Sequence, residues 1–275
     1  MLELSRTVRF CLSPDAGDAE LPRDNTFSAW PPMRGLGRYY ELHVTCRGEA
    51  DPETGYFINI KHIDTAVRDH ALPILRAAVD DEVRAAAMPM GALLRDLVAA
   101  LQPALGYRVA RLSLQLTPLI AFAMEPAAMD HVLIAQQYEF SAAHRLHVAA
   151  LSDEENVATF GKCNNPAGHG HNYRVRVTVR GPVDPAGHTL DVATLDTAID
   201  RLVIDKLDHK HLNEDVPAFA ELNPSVENIV RVVWDMLAPK LASATSPGVS
   251  LDEVTVWETG KTSCTYRGPQ TTSGR

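Results

Sequence analysis

No two of the four cysteines, Cys11, Cys46, Cys163 and Cys264, lie close together, and no Cys-x-x-Cys occurs. A disulfide framework is therefore disfavoured, and a reducing compartment fits. Positive charge is also short. Lys and Arg number 26 against 35 Asp and Glu, a formal net charge of −9. A binder of nucleic acid or of an anionic membrane is ordinarily basic, so neither partner is expected. An anionic small substrate stays open, because local Lys and Arg decide that. No apolar run approaches the ~18 residues that span a bilayer. The first residues lack the basic segment and apolar core of a secretory signal, so a cytoplasmic location is expected. What is present is ordinary: 45% hydrophobic and 22% charged residues over 275 positions, enough for one large domain or two of common size.

The chemistry gathers near the middle. His144 closes Phe140-Ser141-Ala142-Ala143-His144, and His169 and His171 sit in Cys163-Asn164-Asn165-Pro166-Ala167-Gly168-His169-Gly170-His171-Asn172-Tyr173. Beyond His171, Tyr173, Val175, Val177 and Val179 alternate with Arg174, Arg176, Thr178 and Arg180. That is the period of a strand, on which residues i and i+2 share a face. His169 and His171 can then grip one ion, with His144 arriving from a neighbouring strand. Three neutral imidazoles leave Zn²⁺ charged and with an open fourth position, as in catalytic sites. Cys163 is a fourth ligand or a base.

The chain also repeats itself. Gly35-Leu36-Gly37-Arg38-Tyr39-Tyr40 through Gly48 aligns with Gly168-His169-Gly170-His171-Asn172-Tyr173 through Gly181, an offset of 133 residues. Asp51-Pro52 falls on Asp184-Pro185, Thr26-Phe27 on Thr159-Phe160 and, after a one-residue slip, Asp64-Thr65-Ala66 on Asp196-Thr197-Ala198. A duplication is expected. In it Leu36, Arg38 and Trp30 face His169, His171 and Cys163, and Pro14 faces His144. The first copy has thus lost every metal-site residue.

Each copy predicts the order ββααββ, an α+β unit with helices on one face of an antiparallel sheet. Strands are expected at Arg6–Leu12, Tyr39–Cys46, Arg111–Leu116 and Leu119–Met124. In the second copy they fall at Gln137–Ala142, Asn172–Arg180, Glu253–Trp257 and Ser263–Arg267. Helices are expected around 63–83, 89–101, 194–207 and 224–241. In the last of these Val226, Ile229, Val230, Val233, Trp234 and Leu237 form an apolar stripe. The expected domains are 1–126 without metal ligands and 133–268 with them, followed by a disordered tail at 269–275.

Three further constellations stand in the second copy. Asp208 beside His209 can orient an imidazole for proton transfer. Ser225 precedes the last helix as an N-cap or a ligand contact. Glu258 ends an apolar strand, where the first copy has Leu116, so the fold does not require the acid. His147 and His211 read as surface residues, His43 and His62 as non-ligands, and Cys11, Cys46 and Cys264 as packing residues in strands.

Taken together, Phe-Ser-Ala-Ala-His, Cys-x5-His-Gly-His-Asn-Tyr, Leu-Asp-His-Lys-x-Leu-Asn, Asn-Pro-Ser-x-Glu-Asn and the late Glu-Thr resemble the 6-pyruvoyltetrahydropterin synthase / 6-carboxytetrahydropterin synthase family over about Gln137 to Gly268. The resemblance implies the tunnelling (T-) fold, whose ββααββ units assemble into barrels, and the substrate 7,8-dihydroneopterin triphosphate. It implies zinc on His144, His169 and His171, Cys163 as base and Asp208-His209 as a second proton relay. Glu258 would anchor the pterin, and Ser225 (usually Thr in the family) and Glu227 would line its pocket. Three two-unit chains would complete the family's six-unit assembly as a homotrimer. The sequence after Glu258 favours the 6-carboxytetrahydropterin product of the queuosine pathway. The Cys-x5-His-Gly-His spacing favours the 6-pyruvoyl product. The first is the main expectation and the second its alternative, with a non-catalytic pterin-binding protein as the rival class.

Overall fold

The computed structural model describes residues 1–12, 29–33, 37–80 and 88–269. The chain forms two compact units: Met1–Ile134 with Gly181–Thr189, and Ala135–Arg180 with Leu190–Arg275. No helix among the described residues is long and apolar enough to cross a membrane.

In the first unit, β1 (Leu2–Leu12) pairs antiparallel with β2 (Arg38–Gly48) over its whole length. β3 (Val109–Gln115) and β4 (Ile120–Met124) follow, in the order β1-β2-β3-β4. Alternation places Val8, Phe10, Leu42, Val44, Leu112 and Leu114 in the core. The other face is polar: Arg9 Nε donates to Glu41 Oε1 at 3.1 Å, and Thr7 meets His43 at 2.9 Å. The helical layer is α1 (Ile60–Ala66), a π-helical turn (Val67–Ala71), α2 (Leu72–Asp80) and α3 (Met90–Ala104). On α3, Leu94, Leu97, Val98 and Leu101 bury one face at helical spacing. The segment Gly181–Thr189 belongs to this unit for a steric reason. The Gly91 N–H donates to the Gly187 carbonyl at 2.9 Å, and a Cβ on Gly187 would stand 2.5 Å from the Ala92 nitrogen. Only glycine permits that approach, and its φ of +92° is one that side chains disfavour.

The second unit carries β5 (His131–His144, crossed by the unit boundary at Ile134), β6 (His169–Pro182, crossed at Arg180), β8 (Ser250–Thr259) and β9 (Thr262–Tyr266) in that order. The short β7 (Lys210–His211) pairs parallel with the end of β5. Between β5 and β6 lie α4 (Asp153–Phe160) and a 3₁₀ turn (Gly161–Asn164). After β6 come α5 (Val192–Ile199), a π turn (Asp200–Ile204), α6 (Asp205–Leu207) and α7 (Leu212–Asp215). α8 (Val226–Leu237) and α9 (Leu241–Ala244) complete the layer. The expected stripe is buried on α8 except for half-buried Trp234, which stands edge-on to Tyr266 at 5.4 Å. Phe140 and Tyr173 stack at 5.0 Å beneath the ends of β5 and β6.

Each unit is thus an antiparallel α+β layer pair, as in the T-fold. Irregularities recur at the offset found in the sequence. The π turns at Val67–Ala71 and Asp200–Ile204 stand 133 residues apart. So do the register shifts at Thr45/Cys46 in β2 and Thr178/Val179 in β6. A polar strand-to-helix link recurs too: Arg6 to Asp64 in the first unit, and Gln136 to Asp196 in the second, where Tyr138 also donates at 3.0 Å.

Most strands, though not β4 and β9, run longer than the alternation predicted, because ladder pairing continues beyond the apolar run. β5 starts at His131 rather than Gln137. The helix over 194–207 is interrupted by its π turn, and the one over 224–241 stops at Leu237. The capped helix α4 had no counterpart in the expected order. The alignments at Pro14, Thr26-Phe27 and Gly35-Leu36, the helix end at Val83 and the tail from Gln270 lie outside the described residues.

Candidate active site

His144 ends β5, and His169 and His171 begin β6 on the same face as buried Tyr173. Their ligand-capable atoms all lie within 4.8 Å of one another, the one such group among the described residues. His144 is fully buried, and its Nδ1–H donates to the Pro224 carbonyl at 2.7 Å. That bond puts the proton on Nδ1 and leaves the Nε2 lone pair toward the cluster. His144 Nε2 stands 3.1 Å from His169 Nε2. Two nitrogens on one tetrahedral zinc stand about 3.3 Å apart. His171 Nε2 is buried with no hydrogen-bond partner, so a cation there would satisfy it. Burial pushes the His144 imidazole down to about 4, and burial with the nearby His171 lowers His169. Both sites therefore favour the neutral, metal-binding form. The three residues present fit a metal ion.

Glu258, near the end of β8, reaches this group: its Oε1 lies 3.6 Å from His144 Nε2 and 3.9 Å from His171 Nε2. The Cys163 thiol is not part of the metal-capable set. Its 3₁₀ turn is tied to the chain after His144, because the Leu146 N–H donates to the Cys163 carbonyl at 2.9 Å.

The Asp208-His209 pair is formed. His209 Nδ1 lies 2.7 Å from Asp208 Oδ2, and the two residues are fastened to β5. The Ser141 N–H donates to Asp208 Oδ1 at 2.8 Å, and the Ser141 carbonyl accepts from the His209 N–H at 2.6 Å. The Ser141 N–H, and then His209, hold the Asp208 carboxyl below the usual carboxylate range. His209 has φ +55°, a left-handed conformation uncommon outside glycine and kept where its surroundings enforce it. Its side chain is 83% exposed, so unlike His144 it is open to a substrate. One cleft of about 550 Å³ joins the two centres, lined by Ser141, His171, Asn172, His209, Lys210 and His211 among others.

Three expectations need correction. His147 is no surface residue: it is half-buried, with its Nδ1 3.1 Å from Asn164 Nδ2. His211 is no surface residue: it is half-buried, lines the cleft, and its Nδ1 is buried without a hydrogen-bond partner. A Cβ on Gly168 would lie 2.7 Å from its Nε2, so Gly168, with φ +71°, makes room for it. Ser225 holds the N-cap position of α8, but its hydroxyl makes no capping bond. The backbone of Pro224 is what reaches the histidines. Glu227 lies on the exposed side of α8, close enough to Cys264 to raise its thiol after burial has done so first. The role of the Pro224 carbonyl had no signal in residue types, because any residue supplies a carbonyl.

A ββααββ-type layer with a three-imidazole, metal-capable cluster at its strand ends is the arrangement of a tunnelling-fold enzyme. The chain belongs to the 6-pyruvoyl tetrahydropterin synthase family, whose sequence profile matches residues 133–269. The "6-pyruvoyl tetrahydrobiopterin synthase" of Poecilia reticulata is 45% identical over 136 residues, 49% of this chain and 89% of that one. The solved 6-pyruvoyl tetrahydropterin synthase of Caenorhabditis elegans is 43% identical, covers 50% of this chain and 96% of its own, and has a TM-score of 0.45. A "putative 6-carboxy-5,6,7,8-tetrahydropterin synthase" of Archaeoglobus fulgidus is 30% identical over 111 residues, 40% of this chain and 80% of that one.

Proposed function

We propose that the second unit is a zinc-dependent 6-pyruvoyltetrahydropterin synthase that eliminates triphosphate from 7,8-dihydroneopterin triphosphate. The observation that carries this is the single cleft shared by His171 of the metal-capable cluster and His209 of the relay. The expectation of a 6-carboxytetrahydropterin product gives way to its alternative, because the relatives of higher identity carry the pyruvoyl name.

His144, His169 and His171 would hold Zn²⁺, which supplies a Lewis acid for the side-chain oxygens of the substrate. Cys163 takes a proton from a side-chain carbon, and triphosphate departs from the neighbouring carbon with the bonding electrons. Asp208 orients His209 through Nδ1, leaving Nε2 to move the second proton. Reducing equivalents pass from side chain to ring, so no external oxidant or reductant is consumed. Glu258 anchors the amino-pyrimidine edge through paired acceptor oxygens, and Ser225 and Glu227 border the pterin pocket. The first unit is a duplicated copy without metal ligands, as the matching irregularities support, and three chains form a homotrimer. A monomer by light scattering would sink that assembly.

The test is mass spectrometry of the products from zinc-loaded protein and substrate, beside Cys163→Ala. The 6-pyruvoyl mass with triphosphate, lost in the variant, is expected. 6-Carboxytetrahydropterin with acetaldehyde would restore the other product. No turnover with zinc bound would leave a pterin-binding protein.

A further inference from the structure

Residues 145–148 follow His144 without belonging to any helix or strand. Backbone polar groups in such a segment need partners from elsewhere. Here all four N–H groups find them, three on asparagine side chains. The Arg145 N–H donates to Asn213 Oδ1 at 2.8 Å, and Asn213 Nδ2 donates back to the Arg145 carbonyl at 3.0 Å. The Leu146 N–H goes to the Cys163 carbonyl, while Asn164 Nδ2 donates to the Leu146 carbonyl at 2.7 Å. The His147 N–H donates to Asn223 Oδ1 at 3.2 Å. The Val148 N–H donates to Asn156 Oδ1 at 2.8 Å, and Asn156 Nδ2 donates to the Val148 carbonyl at 3.0 Å.

The chemistry of the primary amide explains the choice of residue. It offers an acceptor and two donors, so one side chain can grip both the N–H and the C=O of one residue, as a neighbouring strand would. Asp lacks the donor and Leu lacks both. Asn156 is fully buried and Asn164 nearly so, which makes a lost partner costly. The asparagines also come from the segments that carry chemistry. Asn164 adjoins Cys163, Asn213 follows Asp208-His209 by a few residues, and Asn223 precedes the Pro224 carbonyl that holds His144.

We propose that Asn164, Asn213 and Asn223 are positioning residues. They clamp the strap after His144 and so set Cys163 and the Asp208-His209 pair at their working distances from the three-histidine centre. The proposal rests on the function proposed above for its kinetic readout only.

The test uses full-length Asn213→Asp and Asn164→Leu, with Asn59→Ala as control. Asn59 caps α1 in the first unit through the Lys61 N–H, so its loss removes stability without touching the strap. Three quantities are read: zinc per chain, the alkylation rate of Cys163 by iodoacetamide without substrate, and kcat with KM. Expected are retained zinc, an alkylation rate changed by about threefold or more, and kcat lower by roughly 10- to 100-fold with KM nearly unchanged. Values equal to those of Asn59→Ala overturn the proposal. So does zinc loss with unchanged alkylation, which would make the strap a support of His144 alone. Should Asn213→Asp fail to fold, Asn223→Ala, which removes one strap bond, replaces it with the same readouts. If the wild type does not turn over this substrate, the proposed function fails while alkylation and zinc content still decide the clamp.

Discussion

The two units share sheet order, a π turn and a strand bulge, yet the metal-capable cluster lies in the second. In the sequence alignment Arg38 stands where His171 does and Trp30 where Cys163 does. Trp30 instead receives Arg68 over its ring at 5.4 Å. The comparison separates what a scaffold needs from what a reaction needs. Core alternation, the bulges and the strand-to-helix acid are kept in both units. The imidazoles, the thiol and Glu258 have other residues at the aligned positions of the first unit and the layer order is the same, so the fold does not require them.

The sharpest way to break this comparison is to remove imidazoles. His171→Ala or His169→Ala should abolish zinc binding and lower turnover by about 10³-fold or more. Arg38→Ala should leave metal content unchanged. Metal analysis and kinetics decide it, and equal losses in the two units would end the distinction. Next in size is the recurring acid link. Arg6 donates to Asp64 through two bonds, at 2.8 and 2.7 Å. Arg6→Ala should cost about 2 kcal/mol, below the range for fully buried pairs. Gln136→Ala should cost about 1 kcal/mol, because Tyr138 still serves Asp196. Urea unfolding tests whether the first unit depends more on its link.

A smaller contrast lies within the second unit. Ser152 caps α4 in a reciprocal box with Glu155, so Ser152→Ala should cost about 1 kcal/mol. Ser225→Ala should change stability by less than about 0.3 kcal/mol, since no cap bond is lost. Matching losses in thermal melts would show that the Ser225 hydroxyl does cap. Smallest is the titration of Asp208. Its carboxyl lies below the ordinary 3.8, so its contribution is full above pH 3.8 and is lost as pH falls through the lower folded value. Carbon NMR of that carboxyl should give a midpoint under 3.8. A midpoint at or above it removes the Ser141 bond from the account.

Much of the fold was legible. Period-two alternation marked the paired strands, and the stripe on Val226–Leu237 marked α8, because burial on one face imposes those periods. The metal-capable histidines were legible for the same reason, His169 and His171 sharing a face of one strand. Strand ends, the π turns and α4 were less so. Pairing with a distant strand sets an end, and α4 has a weak apolar face. The placement of His211 was misread, since burial of a lone polar residue depends on what folds over it, while Ser225 stands at the expected N-cap without its side-chain bond.

By itself the sequence determined the layer order and which residue types gather around the three histidines, because these are local in spacing or pattern. Tertiary structure alone decided the rest. β7 pairs with β5 and brings Asp208-His209 to Ser141, α8 brings the Pro224 carbonyl to His144, and four asparagines fasten the strap between them. Those contacts join residues far apart in the chain through backbone groups that every residue carries, so no residue type announces them.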